Sequence, residues 1–219
     1  MTAAQANIGS DVRLIRAAEA ELIANDGHVE MLAVAKRAGL SVGIAYHHFG
    51  SKAGLIAAVV DGFYGPLRDI SFAGPTAGVD WATRERDRTR AFIDYFYDHP
   101  FAPLVVGRLG REPAVIDIES AHLRQMLDVG ARNIRAGQKD GAIPGEIDAD
   151  VAISFVLGGL WRAVGDAVLS EPRPSRKRLV EQAWSFVESA LQARPPSLGA
   201  AAAKRGQPVD ARKRSGRKP

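Results

Sequence analysis

Cysteine is absent from the 219 residues, which excludes disulfides and thiolate-held metals and is compatible with a reducing compartment. Long hydrophobic runs are missing too. Nowhere do about 18 apolar residues follow one another, and the opening "MTAAQANIGSDVRLIRAAEAEL" has neither a basic leader nor a continuous apolar stretch. The expectation is a soluble, cytoplasmic chain with no membrane partner. Catalytic signatures are equally scarce: there is no G-x-S-x-G, no H-E-x-x-H, and "GRLGREP" lacks the lysine and spacing of a phosphate loop. His47 and His48 are adjacent, so on a helix they diverge by about 100°, and His28, His99 and His122 are scattered. No metal site, cofactor or catalytic residue is expected, and the chain does not read as an enzyme.

What is present is ample apolar mass for a core, 46% of residues, in a length that fits one or two domains. The formal net charge of +4 is unevenly placed. Residues 194–219 hold eight Lys/Arg and one Asp, a net of +7, which leaves the first 193 residues at −3. The basic pI near 9.6 therefore belongs to the tail, and the tail has too little apolar mass to order itself.

Val12, Ile15, Ala18, Leu22 and Ile23 recur at helical spacing before a stop at Asp26-Gly27. Met31, Val34, Ala35 and Ala38 mark a short second helix that Gly39 ends. Ser41 suits the N-cap of a third helix reaching about His48, and Ser51 that of a fourth with a stripe of Leu55, Ile56, Val59, Val60, Phe63 and Tyr64. Gly65-Pro66 is expected to end or kink this fourth helix. Helical patterns resume over about 82–98, 101–110, 113–137, 148–169 and 175–192, with no strand-like alternation between them. The reading is an all-α protein of about nine helices. It divides into a helix-turn-helix domain over 8–64 (motif about 31–50), a second helical domain over 65–192, and a disordered basic tail over 193–219.

Two short helices joined by a glycine turn and packed on a first helix describe a helix-turn-helix, whose second helix enters the DNA major groove. Ala45 and Phe49 point back to the core, leaving Ser41, Val42, Ile44, Tyr46 and His47 outside. The stretch "LAVAKRAGLSVGIAYHHFGSKAGLI" resembles the DNA-binding segment of the TetR family of bacterial transcriptional regulators, over about residues 10–64. The resemblance implies that Ser41, Val42, Gly43, Ile44, Tyr46 and His47 present the recognition helix to DNA and that Lys52 meets a phosphate at a helix start. Family members often carry Thr and a basic residue where this chain has Glu30 and Leu32. Residues 1–64 hold five Lys/Arg and six Asp/Glu, so binding to DNA through this part alone should be modest and salt-sensitive unless the basic tail adds affinity.

The resemblance also implies an effector pocket and a dimer interface in the remaining helices. Phe96, Leu104, Met126, Ile134, Phe155 and Trp161 are the expected ligand-binding residues, with Met126 adaptable in shape and Trp161 able to orient a ligand through its indole N–H. Gly159 lies where a neighbouring backbone could approach, and Leu179, Val180, Ala183, Trp184 and Val187 form a wide apolar face. With Val156, these are the expected homodimer contacts. The function implied is a repressor released from a pseudo-palindromic double-stranded DNA operator by a small, largely hydrophobic effector. The alternative is a small-molecule binding protein with weak or lost specific DNA binding.

Overall fold

The computed structural model describes residues 9–74 and 78–194. Nine α-helices follow one another among them: α1 (Ser10–Ala24), α2 (Met31–Ala38), α3 (Val42–Phe49), α4 (Lys52–Phe72), α5 (Trp81–Asp98), α6 (Ala102–Gly107), α7 (Pro113–Lys139), α8 (Ala149–Leu169) and α9 (Arg176–Ala190). A 3-10 turn at Leu109–Arg111 follows α6, and the described residues contain no strand. The expected tail lies outside the described residues except for its first two positions.

Local chemistry sets the first four helices. Gly39 ends α2 in the left-handed conformation at φ 65°, which side chains resist. Ser41 Oγ accepts from Ile44 N at 3.3 Å and Ser51 Oγ from Gly54 N at 3.0 Å, each satisfying an orphan donor of a helix start. Gly54 is needed for a second reason. A Cβ there would lie 2.2 Å from the Phe49 carbonyl oxygen, so the turn from α3 into α4 closes only over a bare backbone.

Of the two outcomes expected at Gly65-Pro66, an end to the helix does not occur. The fourth helix runs on to Phe72 with Pro66 inside it, and the expected domain boundary after residue 64 falls within a helix. Pro66 forfeits a hydrogen bond to the Gly62 carbonyl, but both residues are exposed, where water replaces the donor. Phe63, Tyr64 and Leu67 are buried on the opposite side and keep the helix packed, chiefly against α7. The expected helix over 101–110 is shorter than its pattern: α6 stops at Gly107 and the 3-10 turn replaces its last turn.

One apolar core runs from Leu14, Leu22 and Val34 through Leu55 and Val60 to Phe92, Phe96 and Phe101. A smaller cluster joins Trp81, Ile134, Ile143, Trp184 and Val187 at the other end of the bundle. The fourth helix reaches from the first three helices to α5 and α7, so it is continuous with both ends.

Candidate DNA-binding surface, cleft and outer face

The third helix buries Ala45 completely and half-buries Phe49, while Ser41, Gly43, Ile44, Tyr46 and His47 are exposed. Val42, expected outside, is half-buried against the core, because its place on the first turn faces α1 and α2. His48 is tied to the start of α1, its Nε2 2.6 Å from Ser10 Oγ. Arg13 donates to the Ala38 carbonyl at the end of α2, fixing the turn from behind. The exposed face of α3 is thus held at both ends by neighbouring helices.

Lys52 opens α4, and its Nζ lies 3.2 Å from Glu30 Oε1. This pair explains where the unusual Glu30 goes: it makes no cap bond to α2 and instead neutralises the lysine that follows α3. Both side chains are exposed, so the pair is worth about 0–1 kcal/mol and yields readily to a stronger anion. Lys36, one turn beyond Leu32 on the exposed side of α2, has no ion-pair partner among the described residues. Sequence reading passed over it because a single lysine in a last helical turn is ordinary.

A cleft of about 720 Å³, its open mouth included, lies between α4, α5, α7, α8 and α9. Phe92, Met126, Ile134, Ile153, Leu157 and Leu160 supply its apolar lining, and Glu85, Arg88, Thr89 and Asn133 a polar wall. Gly130 shapes it, since a Cβ there would lie 2.4 Å from Ile153, letting α8 settle close on α7.

Of the six expected ligand residues, Met126 and Ile134 line this cleft. The other four do not. Phe96 is buried in an aromatic cluster with Phe63, Phe92 and Trp161, and Trp161 stacks on Tyr64 with ring centroids 5.8 Å apart. Leu104 packs on the main core, and Phe155 is 71% exposed on the far side of α8. Beneath the stack, His122 on α7 is buried, lies 5.1 Å from the Tyr64 ring and bonds Asp61 on α4 at 2.8 Å. Burial, reinforced by Glu119, pushes the Tyr64 phenol above its ordinary range, so it stays neutral.

The expected dimer residues are also redistributed. Val180, Trp184 and Val187 are buried within the chain, Leu179 and Ala183 pack on its core, and Val156 and Val187 line the cleft. That stripe of α9 faces α5 and α8, and so is spent inside the bundle. Gly159 remains exposed, and the open apolar surface beside it is Val151, Phe155 and Phe186, with Gly158 bare. By length and composition α8 could cross a bilayer, yet it is interrupted by Asp150, Arg162 and Asp166 and packs on α5, α6, α7 and α9.

A joint connects the two ends. Arg108, after α6, donates to the Asp26 carbonyl at 2.6 Å and to its carboxylate at 2.8 Å, and its Nη2 lies 2.7 Å from His28 Nε2. Gly27 makes room: at φ 82° it also lacks the Cβ that would meet Arg108 Cδ at 2.9 Å.

A capped, exposed third helix on a three-helix base, joined by a long fourth helix to a cleft-bearing bundle, defines a helix-turn-helix protein with a second helical unit. Residues 14–59 match the family model for bacterial regulatory proteins, tetR family. The chain is 33% identical over 109 residues to the HTH-type transcriptional regulator BetI of Rhizobium meliloti (strain 1021), a match that covers 49% of this chain and 51% of that one. It thus spans about half the length of the curated relative it matches. The fold is shared with the fatty acid degradation regulator FadR of Bacillus halodurans, at TM-score 0.72, 18% identity and coverage of 86% and 99% of the two chains. It is shared also with the transcriptional regulator FadR of Bacillus subtilis in complex with stearoyl-CoA, at TM-score 0.64, 18% identity and coverage of 82% and 98%. The family match thus rests on residues 14–59, and the solved structures show that the rest of the chain shares their fold.

Proposed function

We propose that this protein is a ligand-responsive transcriptional regulator, a homodimeric repressor that leaves a pseudo-palindromic operator when a small molecule enters the cleft. The observation that carries this reading is the fourth helix: its first residue is Lys52 beside the exposed α3, and its last turns supply Ile70 and Ser71 to the cleft. A ligand acts by favouring one placement of α4 over another, which alters the separation of two recognition helices that must sit about 34 to 36 Å apart on DNA. Ser41, Gly43, Ile44, Tyr46 and His47 would meet the groove and its phosphates, and Lys52 would exchange Glu30 for phosphate. The two copies would meet through Val151, Phe155, Gly158, Gly159 and Phe186, where apolar side chains border bare glycine backbone.

The test is protection of DNA upstream of the gene, with and without a ligand shown to fill the cleft. A palindromic footprint that ligand removes supports the proposal. An absence of any protected site, with ligand binding intact, supports the second reading, a small-molecule binding protein that has lost its operator. The Glu30–Lys52 pair favours that reading only weakly, because phosphate must first displace an exposed carboxylate worth about 0–1 kcal/mol.

A further inference from the structure

The charges on the wall of the cleft are already paired. Glu85 is the sole carboxylate among the lining residues and Arg88 the sole guanidinium, and Arg88 Nη1 donates to both Glu85 oxygens. The other nitrogens of Arg88 are held at the end of α4, Nε by the Ile70 carbonyl at 3.2 Å and Nη2 by the Ala73 carbonyl. Arg84 stands outside the lining and is engaged as well, through Nε to Glu85 at 3.2 Å and Nη2 to the Asn133 side-chain oxygen at 3.0 Å. What stays open is uncharged. The Asn133 main-chain oxygen accepts from Trp81 Nε1 at 3.0 Å, but its amide nitrogen makes no hydrogen bond among the described residues and is not sealed off. The Thr89 hydroxyl likewise makes none, whereas Ser71 turns its own to the Leu67 carbonyl at 3.0 Å. A free amide N–H and a hydroxyl are thus left on a neutral wall, facing aliphatic and aromatic carbon.

We infer that the cleft takes an uncharged, largely apolar molecule carrying a carbonyl oxygen, with that oxygen at Asn133 and the carbon skeleton among Met126, Ile134, Leu157 and Leu160; this rests on the cleft being the effector site. A charged head of either sign would lie on a half-buried wall with no free counter-ion. It could gain one only by parting Glu85 from Arg88, which leaves the other ion of the pair uncompensated. For an anion the same exchange also draws Arg88 away from the carbonyls at the end of α4, which lack intrahelical partners. A carbonyl oxygen requires neither. It accepts from the Asn133 N–H, a donor that loses its water when apolar carbon fills the cleft and needs a replacement, and it leaves the ion pair and the helix end as they are.

The experiment is calorimetric titration of the full chain at neutral pH with 2-nonanone, nonanoate and nonylammonium, which share nine carbons and differ in the head. 2-Nonanone is expected to bind at least about tenfold more tightly than either ion. Asn133→Asp keeps the acceptor for Arg84 but removes the free N–H, and should weaken 2-nonanone about three- to tenfold. Glu85→Gln keeps an acceptor oxygen but leaves Arg88 without its carboxylate, and should raise nonanoate affinity at least about tenfold without raising that of nonylammonium. Thermal unfolding without probe confirms that each variant is folded, and if Glu85→Gln is not, Asn133→Asp still decides. Equal or tighter binding of either ion to the unaltered chain, no binding of 2-nonanone, or its unchanged affinity in Asn133→Asp overturns the inference. So does a folded Glu85→Gln that gains no nonanoate. Because DNA is absent from these titrations, the two readings fail separately. 2-Nonanone that binds in the expected order yet leaves operator occupancy unchanged removes the regulation and keeps the site; an ion that binds in its place and releases the operator does the reverse.

Discussion

Two apolar surfaces of this chain stand open to water, and they are built by opposite rules. On α3, Ile44 and Tyr46 alternate with Gly43 and His47, the helix is only eight residues long, and serine caps and histidine contacts hold its ends. On α8 and α9, Val151, Phe155 and Phe186 gather around two bare glycines with little polar interruption. An interspersed surface keeps its water and suits a hydrated polyanion; a consolidated one gains most by shedding water against another surface like itself. Apolar side chains stand exposed on both, at 37–50% on α3 and 53–71% on α8 and α9, and what lies between them separates the two surfaces.

The contrast can be broken most sharply at the consolidated face. Phe155→Arg with Phe186→Glu should leave the fold intact, give a monomer by sedimentation, and weaken operator binding by about 10² to 10⁴, the advantage of a linked second half-site. Neither residue is buried, so an unfolded variant is not the expected cause of such a loss. Next in size is Gly54→Ala, which forces a Cβ against the Phe49 carbonyl and should cost about 1–3 kcal/mol by denaturant unfolding, with loss of DNA binding.

Smaller effects sharpen the interspersed face. Lys52→Ala should weaken operator binding several-fold and flatten its salt dependence by about one ion per protomer, whereas Glu30→Gln should tighten binding by freeing the lysine. Filter binding across a salt series measures both. Smallest is a pH effect on the fold. Burial holds the His99 imidazole below its ordinary pKa despite Glu19, and its Nδ1 accepts from Phe101 N at 3.3 Å, so the folded state favours the neutral ring. The unfolded chain then binds more protons as pH falls below about 6.5. Stability present above that pH should decline under acid, and His99→Gln should decline less in thermal unfolding at pH 5.5 against pH 7.5.

The first four helices were legible because their signals are local. Ser41, Ser51, Gly39 and the Tyr46-to-Lys52 run each act within one turn, and the structure places caps and turns where those residues predict them. The cleft was not legible for the opposite reason. Glu85 and Arg88 on α5 carry no pocket signal within their own stretch, and only the arrival of Asn133 and α7 makes them part of a wall. Likewise the stripe Val180, Trp184 and Val187 announces that α9 buries one side but not against which neighbour. The outward residues were the ones off that stripe, Phe186 above all. Pro66 misled because its effect on a helix depends on which side faces water.

Lys52 and Ile70 sit 18 residues apart on one rod, a span of about 27 Å at the usual rise. Whatever grips one end of such a rod does thermodynamic work against whatever grips the other, and the exchange is symmetric. If cleft occupancy lowers affinity for DNA by some factor, DNA must lower affinity for the cleft ligand by that same factor. An operator in excess should therefore act as an eluent, expelling bound ligand from the protein without ever touching the cleft.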